Sequence, residues 1–147
     1  MNSIWNSDDQ RALQARVRRL TPGLAARWGQ FTAPQMVAHL CESLRMASSE
    51  LPVAAKHLPI RYPPLKQLII YWLPFPKSAP TAPELLVRTP GDCAADCAEL
   101  DRRLDDVVRG GPDGLCREHP AFGTMTGRSW GVLIYRHTDH HLRQFGV

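Results

Sequence analysis

The chain has 147 residues, 44% hydrophobic and 22% charged, with a formal net charge of +4. That length and balance fit one globular domain, residues 1–147, with room for a hydrophobic core, and they exclude a disordered chain. The most apolar run, Leu68 to Leu73, is far shorter than the roughly 20 residues a bilayer span needs, Met1 to Gln10 lack a signal-peptide pattern, and the basic residues are scattered without interleaved aromatics, so the expectation is a cytoplasmic protein with no membrane and no nucleic-acid partner.

Taken in chain order, Ser7 is the first helix cap, with Gln10 three residues on as in a capping box. Ala12, Leu13, Val17 and Leu20 continue at helical spacing, which predicts a helix over 8–20 that stops at Thr21-Pro22-Gly23. Thr32 caps the second helix and Pro34 lies in its first turn, where a missing N–H costs nothing. Met36, Leu40, Leu44 and Ala47 form its stripe, with His39 on the flank and Ser43 one turn further. From Ser48 to Pro90 the chain is irregular and holds most of the 13 prolines. A short helix is expected over Leu65–Leu73, and Ile60, Tyr62, Leu68, Ile69, Trp72 and Phe75 are expected to seek burial. Asp92 caps a third long helix with Leu100, Leu104, Val107 and Val108 inward, ended by Gly110-Gly111-Pro112. The loop His119 to Gly123 leads to Thr126, cap of a last helix from Gly127 to Gln144 with Trp130, Leu133, Ile134 and Phe145 on one side. Four long helices and almost no strand signal predict an all-α four-helix bundle with a long proline-rich crossover between helices two and three. Cys41, Cys93, Cys97 and Cys116 show no C-x-x-C spacing and read as reduced thiols.

His137 and His141 are four residues apart, hence about 40° apart on a helix and stacked on one face. That face also carries Trp130, Leu133, Ile134 and Phe145, so both imidazoles point inward. Two inward imidazoles require a polar partner, and a metal ion is one. His39, on another helix, is the natural third member. The spacing resembles the helical H-E-x-x-H zinc motif, but Thr138, Asp139 and His140 intervene, so the metalloprotease glutamate is missing. His140 is rotated about 60° from His137, to the rim. His57 reads as exposed, and His119 as ordering its turn or lining a pocket mouth. Three imidazoles suit a divalent ion, zinc or nickel foremost, with iron or manganese also compatible.

Thr32 to Leu40, Pro76 to Pro83, His119 to Gly123, Trp130-Gly131 and Tyr135 to Gly146 together resemble a branch of the DinB-like (damage-inducible) superfamily, one defined by a domain of unknown function ending in His-Thr-Asp-His-His-Leu-Arg-Gln-Phe-Gly. The resemblance covers nearly the whole chain. It implies an up-up-down-down bundle holding a divalent metal at His39, His137 and His141. It further implies a possible homodimer and a small-molecule substrate, including a low-molecular-weight thiol.

Ser43, Glu42, His140 and Arg143 are candidate helpers around such a centre. Glu42 reads first as a solvated carboxylate. Arg143 is either an anion clamp or a surface ion pair, and Tyr62 and Trp72 are either pocket lining or core. No catalytic residue is assigned. Two functions follow: a metal-dependent enzyme, transferring a thiol or hydrolysing a small substrate, or a non-catalytic metal-binding or stress-related interaction module.

Overall fold

The computed structural model describes residues 1–77 and 80–147, so Ser78 and Ala79 of the Pro76 to Pro83 motif lie outside the described residues. Each long helix begins where a side chain can accept the amides that a first turn leaves unpaired. Helix α1 (Ser7–Val17) is capped by Asn6, whose side chain accepts from the Asp8 and Asp9 amides. Ser7, expected as the cap, is instead the first helical residue, and the Gln10 side chain reaches Asp105. The helix also stops at Val17, short of 20. Arg19 and Leu20 continue in tighter turns bonded to Arg16 and Val17, which still bury Leu20.

Helix α2 (Ala33–Ala47) opens with the reciprocal capping box of Thr32 and Gln35. It is buried on nearly every side, from Met36 through Ala47 with Arg45 as the half-exposed exception. Packing therefore holds it far more than intrinsic propensity, at roughly 1.5–3 kcal/mol for each large apolar side chain buried.

The crossover after α2 includes a 3-10 turn at Pro59–Arg61, a short helix α3 (Leu65–Gln67) continuing as a π turn over Leu68–Trp72, and a second 3-10 turn at Pro83–Leu86. The short helix expected at Leu65–Leu73 is present, but the expected burial holds only in part. Ile70 is buried and Ile60, Ile69 and Phe75 are half-buried, whereas Tyr62, Leu68 and Trp72 are exposed.

Helix α4 (Cys93–Gly110) is capped by Asp92 and ends at Gly111 in the left-handed region, followed by Pro112. A two-residue hairpin follows, β1 (Glu118–His119) with β2 (Gly123–Thr124), antiparallel with His119 opposite Gly123. Helix α5 (Gly127–Gln144) is capped by Thr126. The chain is thus mostly helical.

One continuous core links these elements, from Ile4 through α1, α2, α4 and α5 to Phe145. Helix α2 packs chiefly on α4, α1 packs on α5 and α4, and α2 also meets α5. The N-terminal segment crosses α5 at Gly131: the Ile4 amide donates to the Gly131 carbonyl, and Trp5 Nε1 donates to the Gly127 carbonyl at 2.8 Å. Trp5 lies directly on Gly131, where a Cβ would strike its indole ring. Among the described residues, no helix is long and apolar enough to cross a membrane.

Candidate metal centre

The meeting of α2 and α5 brings His39, His137 and His141 together. Their nitrogens lie within 4.8 Å of one another, and among the described residues this group contains no carboxylate or thiol. His39 Nε2 stands 3.2 Å from His137 Nε2. Two nitrogens on one tetrahedral zinc at about 2.05 Å lie about 3.3 Å apart, so this pair already has the separation of a shared ion. The third nitrogen is wider, and an ion at the centre has to draw it in. A neutral imidazole pair sharing one hydrogen bond also fits 3.2 Å.

Burial decides the protonation of these rings. His39 and His141 are buried and His137 is half-buried. Burial lowers His39 to about 4, against a weaker opposing effect of the Leu85 backbone. Burial, reinforced by repulsion from His39, lowers His141 to about 3. His137 is held well below its ordinary value by burial and by the other histidines. All three are therefore neutral near pH 7, the form whose nitrogen lone pair coordinates a metal.

The surroundings orient the rings. The Gln144 amide nitrogen donates to the Trp28 carbonyl at 2.7 Å, which turns its Oε1 toward His141 Nδ1 at 2.9 Å. A carbonyl oxygen only accepts, so His141 Nδ1 carries the proton and its Nε2 lone pair is left free. Phe31 stacks on His39 with ring centres 5.4 Å apart and also meets His141. His39 Nδ1 is buried with no hydrogen-bond partner of good geometry, the Leu85 backbone being the polar group beside it.

The structure sorts the other candidates. His140 lies on the rim among His141, Trp28 and Phe75. Ser43 donates to the His39 carbonyl at 2.8 Å and so belongs to the helix backbone. Glu42 is not a solvated carboxylate: it is buried, 3.1 Å from Arg45 and 3.8 Å from Arg88. Arg88 arrives from far along the chain and also pairs with buried Asp96 at 2.6 Å and with Glu99 at 2.7 Å. Arg143 is exposed and pairs with Asp139 at 3.0 Å, as a surface ion pair. His119 orders its turn, its Nδ1 accepting from the Ala121 and Phe122 amides. His57 is exposed. Tyr62 and Trp72 are neither core nor pocket, at 63% and 73% exposed.

Sequence reasoning missed Gln144, Trp28, Phe31 and Phe75. Gln144 had one usable signal, its position one turn after His141; the others lie in loops whose approach only the fold reveals. Comparison with protein-family models, curated proteins and solved structures returned no match.

Proposed function

We propose that the chain is a DinB-like four-helix bundle that binds a divalent metal through His39, His137 and His141 and acts as a metal-dependent enzyme on a small molecule. The observation that carries this reading is the convergence of three neutral, inward imidazoles from two helices onto one point. The mutual packing of α1, α2, α4 and α5 supports the bundle. Zinc or nickel fits the all-nitrogen donor set best, with iron or manganese also compatible.

Three protein donors are the usual complement of a catalytic rather than a closed structural site. A bound ion supplies Lewis acidity, lowering the pKa of a coordinated water or of a substrate thiol. Gln144 holds His141 in the coordinating tautomer, and burial keeps all three rings unprotonated. Phe31 shields His39 and His141 from water, while His140, Trp28 and Phe75 give the rim an aromatic lining, with Lys77 4.9 Å from the Trp28 ring and Arg136 4.8 Å from the Phe75 ring. That lining suits a small substrate with an apolar or anionic part, and the proposed chemistry is thiol transfer or hydrolysis.

The alternative is a non-catalytic module in which the histidines bind metal without turnover or pair without it. The 3.2 Å His39–His137 contact favours keeping it, because a hydrogen bond alone explains that distance.

Elemental analysis of protein purified without an affinity tag tests the assignment. His39→Ala and His137→Ala are expected to lose most of the metal, and His57→Ala to keep it. Equal retention in all three variants refutes the site. Activity with small thiols and electrophiles, lost in the same two variants, then separates the enzyme from the module.

A further inference from the structure

The crossover carries a surface that the histidine centre does not use. Between Glu50 and Glu84 there is no Asp or Glu, while Lys56, Arg61, Lys66 and Lys77 all fall within that stretch. Of the nine exposed large hydrophobic residues among those described, six lie here: Leu58, Tyr62, Leu65, Leu68, Trp72 and Leu73. Such residues scattered singly need no explanation, but this concentration does.

The segment is apolar on both faces. Its inner side is engaged with α5: Ile70 is buried, the Tyr71 hydroxyl meets Ser129 Oγ at 2.7 Å, and Arg136 donates to the carbonyls of Ile69, Ile70 and Leu73. Tyr62, Leu65, Leu68 and Trp72 recur at three- and four-residue spacing and make up the outer side.

We propose that this outer face docks on an anionic lipid bilayer, lying shallowly at the headgroup level. Four observations favour this occupant. Tyrosine, tryptophan and leucine beside lysine and arginine are the composition of an interfacial segment. Trp72, 73% exposed, stands out from the surface, whereas a peptide-binding groove would enclose its aromatic anchors. Exposed Arg128 sits 5.9 Å from the Tyr71 ring and adds a cation at the edge of the face. Of the acids that reach the stretch, Glu118 is held by Arg61 at 3.2 Å and by Thr124, and Glu84 accepts from the Ala54 amide at its far end, away from Tyr62 to Trp72 in sequence.

A second copy of the chain fits less well. The six side chains expose on the order of 600 Å², taking about 200 Å² for each if fully exposed, below the roughly 800 Å² per partner of a stable interface. A two-fold contact would also set this acid-free stretch against itself, like charge facing like. The expectation of no membrane partner rested on the lack of a spanning segment, and shallow docking needs none.

Co-sedimentation of the full chain with vesicles tests the proposal, comparing pure phosphatidylcholine with an equimolar mixture of phosphatidylcholine and phosphatidylserine. Binding to the mixed vesicles is expected to exceed binding to the neutral ones about tenfold and to weaken as salt is raised. The double variant Tyr62→Ser, Trp72→Ser, altered only at exposed positions, is expected to lose binding about tenfold. Arg128→Glu is expected to weaken binding to the mixed vesicles alone, several-fold. Absence of vesicle binding overturns the proposal, as does undiminished binding by the double variant. So does a wild-type dimer, seen by light scattering, that becomes a monomer in the double variant, since the face then belongs to a second copy.

Discussion

Gln144 and His141 are locked to each other, because the Trp28 carbonyl leaves the Gln144 amide only one orientation. Removing this partner leaves His141 free to rotate and to exchange tautomers. Gln144→Ala is therefore expected to weaken zinc binding by about 10–100-fold without unfolding the chain. Competition titration against a chromophoric chelator measures the change, with circular dichroism as the control for fold.

The same contact is guarded from the loop side. Gly29 lies in the left-handed region, and a Cβ there would sit 2.6 Å from the Gln144 amide nitrogen. Gly29→Ala is expected to reproduce the Gln144→Ala defect in zinc affinity, in the same titration, although Gly29 touches no histidine of the centre. Unchanged affinity would show that the Gln144 amide gives way to the methyl without releasing His141, and unchanged affinity in Gln144→Ala as well would show that Gln144 does not position His141.

Gly131 provides a test whose sign is informative. In an exposed helix, alanine for glycine stabilises by about 1 kcal/mol. Here the added methyl meets the Trp5 indole, so Gly131→Ala is expected to destabilise by about 1–3 kcal/mol in urea denaturation. The penalty should shrink in a Trp5→Ala background.

Arg88 is the cation paired with buried Asp96, whereas Glu42 keeps Arg45 at 3.1 Å. Arg88→Ala therefore leaves Asp96 short of a cation, with an expected loss of about 1–3 kcal/mol in urea denaturation. Arg88→Lys should recover only part, because an ammonium group cannot fork between several acids.

Acid sensitivity follows from the buried imidazoles. Burial lowers His119 from 6.5 to about 4, with the Arg61 charge adding to the effect. Below pH 6.5 the unfolded chain binds a proton that the folded chain refuses. The stabilisation is therefore complete above about 6.5 and is lost as pH falls through about 4. His39 and His141 shift in the same direction. His119→Asn is expected to flatten part of this slope while keeping an acceptor for Ala121 and Phe122. His119→Ala flattens it equally but costs a further 1–2 kcal/mol or so at pH 8. Urea midpoints across that pH range decide between them.

Thr32, Asp92 and Thr126 cap the helices they are expected to cap, and the 3.6-residue period places His137 and His141 on one inward face, whereas their meeting with His39 depends on how α2 packs on α5. Signals that depend on distant segments were not visible. Glu42 pairs with Arg45 in its own helix, but its burial follows only when the Pro83–Leu86 turn packs on α2 and brings Arg88 beside it, and Gln144 is covered only when the loop at Trp28 folds over it. Ser7 lost the cap to Asn6 by one residue, a boundary that two adjacent polar side chains leave open. The crossover aromatics misled for a different reason. Hydrophobicity marks Tyr62 and Trp72 as candidates for burial, but α5 offers the segment only one face, which Ile69, Ile70 and Tyr71 occupy.

Arg136 directly precedes His137 in α5, and its guanidinium grips the carbonyls of Ile69, Ile70 and Leu73. One turn of α5 thus holds the crossover with one side chain and presents a histidine with the next. A displacement of that turn would move both side chains together, like the two arms of a lever. By thermodynamic reciprocity, whatever factor an ion at the histidines imposes on contacts made by the Trp72 face, those contacts impose on the ion.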